Sequence, residues 1–100
     1  MHIVKSQYGL TLVRSSGELC FEELARIAAT CARARAQRRL VVIDLSGVTH
    51  LHYAGGRLLR EVEGLRLAGA TPYVKSLLHA GGAGGYLELF RNVEEALRAA

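Results

Sequence analysis

The sequence is short of most features that announce a chemistry. Two cysteines, Cys20 and Cys31, occur in 100 residues. That is too few for a disulfide framework, and their spacing is not CxxC. Free thiols in a reducing compartment are the expectation. No apolar run approaches the roughly 18 residues of a membrane span. The opening MHIVKSQYGL lacks the apolar core of a signal peptide, so the expected location is cytoplasmic. There is no internal repeat, no linker and no low-complexity block apart from Gly81-Gly82-Ala83-Gly84-Gly85. That glycine loop lacks the spacing of a dinucleotide or phosphate loop, so a flexible connector is expected there.

Charge is also sparing in what it signals. The net charge is +4, and Arg33, Arg35, Arg38 and Arg39 lie close together. No aromatic residues interleave with these arginines, as single-strand nucleic-acid binding favours. They read as a solvated helix end, where cations suit the helix dipole. Direct nucleic-acid binding is not expected. Half of the residues are apolar and 22% are charged, which fits one ordinary globular domain spanning residues 1–100.

The informative stretch is Leu40 to Arg57, LVVIDLSGVTHLHYAGGR. It opens on an unbroken apolar, β-branched run, which reads as a strand buried on both faces over Leu40 to Leu45. Leu51 continues the strand after a kink at Ser46-Gly47. The small residues Ala54-Gly55-Gly56 then turn the chain into a segment of helical period. A ligand or partner surface is expected at such a junction of strand end and helix start.

The flanks complete an α/β pattern. His2 to Lys5 and Leu10 to Arg14 read as a hairpin joined by the turn Ser6-Gln7-Tyr8-Gly9, with Ser15-Ser16-Gly17 ending the second strand. Phe21, Leu24, Ile27, Cys31 and Ala34 form one stripe of a helix over Phe21 to Gln37. Cys20 stands at its N-cap, where Ser, Thr, Asp or Asn is usual. A second helix is expected over Ala54 to Leu67, buried through Leu58, Leu59, Val62 and Leu65 and carrying Gly64 inside it. Thr71 to Leu78 reads as a strand, although VKSLL also suits a helix start. Tyr86 to Phe90 alternates like a last strand. Asn92 caps a final helix over Val93 to Ala99, with Glu95 at the capping-box position and Val93, Ala96 and Leu97 inward. Strands alternating with helices imply a mostly parallel sheet.

In this order the chain resembles a STAS domain, the anti-sigma-factor-antagonist family. Ser16-Gly17-Glu18-Leu19 resembles the family's turn before the first helix. Leu40 to Thr49 resembles its signature strand, and Leu87 to Leu97 its last strand and helix. The resemblance implies a four- or five-stranded mixed sheet with helices packed mainly on one face. It also implies a third helix shortened into the Gly81–Gly85 loop.

The chain departs from the family at the residues that carry its switch. The family's turn has an Asp, two small hydroxyl residues and a Gly, and a partner kinase phosphorylates the second hydroxyl. These positions fall on His52, Tyr53, Ala54 and Gly55. A second family Asp falls on Cys20. Ala54 has no hydroxyl, so control by phosphate at that position is expected to be absent. Ser46, Thr49 and Tyr53 are nearby hydroxyls, and none occupies the family position.

What the resemblance implies is therefore a non-enzymatic regulatory module. Its partner surface comprises Cys20, His50, His52, Tyr53, Ala54, Gly55 and Arg57. The partner class is an anti-sigma factor or a serine-kinase-like protein. An accessory subunit that binds a membrane transporter's ATPase is the alternative, and self-association stays open. No cofactor and no membrane insertion are expected. Cys20 lies near His52 in the family's geometry. A small-ligand or metal-binding module using Cys20, His50 and His52 is thus a third reading; a soft metal site there needs further ligands, and a Cys–His nucleophile pair needs an orienting residue. Asp44 is expected to be structural, satisfied by nearby backbone donors. Cys31 is expected in the core.

Overall fold

The computed structural model describes residues 1–80 and 87–99. Its elements are β1 (His2–Gln7), β2 (Leu10–Leu19), α1 (Phe21–Ala36), β3 (Leu40–Leu51), α2 (Gly55–Arg60), β4 (Arg66–Ala68), α3 (Pro72–Ala80), β5 (Glu88–Phe90) and α4 (Val93–Arg98). The strands form one sheet in the order β1-β2-β3-β4-β5. β1 is antiparallel to β2, and every later pairing is parallel. This is the expected α/β architecture with a five-stranded mixed sheet.

β3 is the central strand because both of its faces are covered. Val41, Ile43 and Leu45 point to one side, with Leu24, Ile27 and Cys31 of α1, Leu59 of α2, and Val74 and Leu78 of α3 in the same cluster. Val42 points to the other side, with Ala68 and Ala96 of α4. Burying each such aliphatic side chain contributes about 1.5–3 kcal/mol. Three helices thus share one face and α4 alone covers the other. Burial pushes the Cys31 thiol up to about 12, which leaves it unreactive in the core.

Several boundaries differ from expectation, each for a local reason. Ser15-Ser16-Gly17 does not end β2. The strand continues to Leu19 through two register shifts, between Arg14 and Ser16 and between Gly17 and Glu18. Gly17 has a φ of +73°, which suits a bulge. The longer strand carries Cys20 up to the end of β3.

The second helix stops at Arg60, not Leu67. Gly64 lies beyond it at a φ of +78°. Arg35 of α1 donates to the Glu63 carbonyl at 3.0 Å, so its guanidinium packs over this glycine. Leu65 and Leu67 are buried at alternate positions, and β4 forms there.

Thr71 to Leu78 is not a strand. Thr71 Oγ1 accepts the Val74 N–H at 3.2 Å, Pro72 takes the first helical position, and Val74 and Leu78 are buried one turn apart. The third helix therefore covers Pro72–Ala80, ahead of the glycine loop. That loop and Tyr86 fall outside the described residues.

Asn92 caps α4 as expected, with its side chain accepting the Glu95 N–H at 2.8 Å. Leu97, expected inward, is 40% exposed. Phe21, expected in the core stripe of α1, is 44% exposed.

The end of α1 explains the arginine cluster. Arg38 takes the left-handed conformation at φ 61°. Its N–H bonds to the Arg35 carbonyl at 2.8 Å, and the Arg39 N–H bonds to the Ala34 carbonyl at 3.1 Å. This pair of bonds is the Schellman stop, built here without glycine.

Candidate docking turn at the end of the central strand

β2 and β3 are parallel and end side by side, with Leu19 opposite Leu51. Cys20 then leads directly into α1, and the turn His52-Tyr53-Ala54 leads into α2. Cys20, His50 and His52 therefore converge on one shallow cleft, together with Glu18 and Leu19. Glu18 and His50 are register partners across the two strands. Cys20 has extended backbone and no side-chain capping bond, so the sequence anomaly at this N-cap is real.

The turn itself is closed by two bonds from one residue. The Gly55 N–H donates to the His52 carbonyl at 2.9 Å. The Ala54 N–H donates to the His52 ring at Nδ1, 3.1 Å away. A side-chain acceptor bonded two residues ahead is the geometry by which Asp and Asn close turns. His52 does this work at a position where the sequence resemblance called for an acid.

Aromatic rings surround it. Phe21 meets the His52 ring edge-on, with centroids 5.5 Å apart. The Tyr53 ring lies tilted against it, with centroids 4.2 Å apart, and Tyr53 is 71% exposed. His50 stacks on Tyr73 of α3, and its Nδ1 shares a 2.8 Å hydrogen bond with the Tyr73 hydroxyl. Sequence reasoning missed both Phe21 and Tyr73. The signal for Phe21 was its place directly after the N-cap, ahead of the buried turn of α1. The signal for Tyr73 was Thr71-Pro72, which starts a helix at the same end of the sheet.

The remaining expected site residues divide into support and surface. Ala54 is 3% exposed, and Gly55 is buried with it. A Cβ on Gly55 would sit 2.7 Å from Leu51 Cδ1 and 3.3 Å from Leu24 Cδ1, so glycine lets α2 approach the sheet. Arg57 is exposed on the first turn of α2. Cys20 is exposed. No group of three or more His, Cys, Asp or Glu among the described residues is arranged to hold a metal ion.

Asp44 lies apart from this turn, further down β3. Its Oδ1 accepts the Ser46 N–H at 3.0 Å, and its Oδ2 accepts from Arg14 Nε at 3.1 Å. Burial alone would raise this carboxyl. The Ser46 backbone and side-chain bonds, then the Arg14 bond and charge, outweigh burial and hold it below its ordinary value. The expected structural role stands, with Arg14 as an added partner.

No described helix is long and apolar enough to cross a membrane. No curated protein matches the chain significantly. Among the solved structures that share its fold are two forms of SpoIIAA. One is the anti-sigma factor antagonist SpoIIAA in its unphosphorylated form, with a TM-score of 0.68 at 20% identity, covering 96% of this chain and 91% of that one. The other is the Bacillus cell fate determinant SpoIIAA in the phosphorylated form, with a TM-score of 0.60 at 19% identity, covering 96% and 95%. The family model of the STAS domain matches residues 2–96, nearly the whole described fold, and the chain therefore belongs to the STAS domain family.

Proposed function

We propose that this chain is a non-enzymatic, cytoplasmic regulatory module of the anti-sigma-factor-antagonist kind. It docks a protein partner through the turn formed by Cys20, His50, His52, Tyr53, Ala54, Gly55 and Arg57. Tyr53 and Arg57 are the exposed aromatic and cation of that turn, the residue types that dominate contact energy at interfaces. Phe21 and Tyr73 extend the same surface.

The observation that carries this reading is Ala54. It has the family's phospho-acceptor place, no hydroxyl, and 3% exposure. A module without that acceptor binds its partner irrespective of a kinase, as a constitutive antagonist or as a scaffold subunit.

An affinity pull-down from the native host, read by mass spectrometry, tests this with wild type and Tyr53→Asp. Capture of an anti-sigma factor or a serine-kinase-like protein by wild type, lost in the variant, is the expected result. Capture of a transporter ATPase instead would replace the regulatory reading with an accessory transport subunit. Capture unchanged by Tyr53→Asp would move the docking surface away from this turn. Stoichiometric phosphate transfer to the chain by a purified cognate kinase would remove the claim of kinase independence.

A further inference from the structure

One of the two bonds that close the docking turn exists in only one protonation state of its acceptor. The Ala54 N–H points at His52 Nδ1 from 3.1 Å. Nδ1 accepts through its lone pair, so it carries no hydrogen, and a neutral ring then bears its hydrogen on Nε2. An imidazolium has hydrogens on both nitrogens and no acceptor. Protonation would set a ring N–H against the Ala54 N–H, donor facing donor. The backbone bond from Gly55 to the His52 carbonyl is unaffected by the ring, so the side-chain bond alone changes. Nothing local replaces it, because α2 has no side-chain cap and Ala54 is buried away from water.

The ring's surroundings permit the change. From β2 and its connection to α1, Glu18 and Cys20 share the cleft with it. From α1 comes the Phe21 edge; the first turn of that helix also carries Glu22 and Glu23, the latter paired with the Met1 amine. β3 contributes His50, and the turn contributes Tyr53. The exposed Arg57 stands on the first turn of α2. From α3, Tyr73 bonds to His50. Among the described residues no carboxylate forms an ion pair with His52. The ring is half-buried, so protons reach it.

We propose that His52 makes the docking turn sensitive to protons. The neutral ring holds the turn closed and competent for its partner, and the protonated ring releases the Ala54 N–H and weakens docking. The docking consequence rests on the function proposed above, whereas the release of the turn does not.

Two measurements separate these halves. The first is nitrogen-15 NMR of the whole chain from pH 8 to pH 5, in wild type and His52→Asn. The asparagine oxygen occupies the place of Nδ1 and does not titrate. The expected wild-type ring is the Nε2–H tautomer at pH 8. The Ala54 amide then shifts, and its exchange protection falls about fivefold, with the midpoint of the ring. In His52→Asn the Ala54 amide stays flat. A flat Ala54 amide in wild type, or hydrogen on Nδ1 at pH 8, would overturn the proposal. If the variant does not fold, the wild-type tautomer and amide titration decide alone.

The second measurement repeats the pull-down at pH 8 and pH 5.5. Wild type should lose about fivefold of its captured partner at the lower pH, and whatever capture His52→Asn retains at pH 8 should be the same at pH 5.5. A titrating Ala54 amide with pH-independent capture would overturn the coupling and place docking elsewhere, while leaving the turn's protonation intact.

Discussion

β3 makes the same local bond twice, with opposite consequences. Asp44 accepts the Ser46 N–H and His52 accepts the Ala54 N–H, each from two residues ahead. Asp44 sits mid-strand, buried, with Arg14 beside it on β2. His52 sits at the strand end among exposed rings, with no ion-pair partner among the described residues. One side chain is a carboxylate held ionised by its neighbours, and the other is an imidazole that accepts only while it is neutral. A strand thus keeps its bulge rigid and its terminus adjustable by the choice of acceptor alone.

The largest expected contrast comes from removing the acceptors. Asp44→Ala leaves the Ser46 N–H and Arg14 without their partner, and should lower unfolding stability by about 3 kcal/mol. His52→Ala removes one neutral acceptor at a half-exposed turn. It should cost about 1 kcal/mol. Urea denaturation of both variants checks the ratio, and equal losses would break the comparison.

Each bond is backed by a glycine, which sharpens the test. Gly69 has φ +78°, and a Cβ there would lie 3.0 Å from Ser46 Cβ and 3.4 Å from Asp44 Oδ1. Gly69→Ala should cost about 2 kcal/mol from conformation and crowding together. Gly55→Ala meets only the end of the Leu51 side chain at its closest approach, but that side chain is fully buried. Its cost should be about 1.5 kcal/mol, with the loss concentrated in the exchange protection of α2.

The smallest effect is the acid limb of stability. The Asp44 carboxyl is held below its ordinary value in the fold. Its contribution is therefore complete above the unfolded carboxyl's range, near about pH 4, and is lost as pH falls through the folded value. Wild type should lose stability along that limb, and Asp44→Asn should lose less. Thermal melts from pH 5 to pH 2.5 measure the difference.

The sequence made some elements plain and concealed others for physical reasons. β3 and α1 were legible because their apolar residues repeat with one unbroken period and end at strong signals. The end of α2 was not legible. Leu58, Leu59, Val62 and Leu65 keep helical spacing straight across Gly64, and what stops the helix is a left-handed glycine under an arginine from α1, a tertiary contact. Thr71-Pro72 was a helix start that the β-branched and aromatic residues after it disguised. Those two misreadings offset each other, so the element order came out right while β4 and α3 were misplaced. At the site, Cys20, His50 and His52 do share a cleft. Phe21 and Tyr73 stayed hidden because a ring at a helix start reads as core until its neighbours are known.

The arginine at the start of β4 has a consequence for folding. Arg66 donates through one nitrogen to the carbonyls of Ala96 and Ala99, at 2.7 and 2.8 Å, and so ties down the far end of α4. Six residues do not hold a helix on their own. α4 forms only when Asn92 and Arg66 grip its two ends against a sheet already built. Until α4 docks, Val42, Leu10, Leu12 and Leu40 face an uncovered side of that sheet. The folding chain passes through a window in which one sheet face is sticky, and α4 closes it.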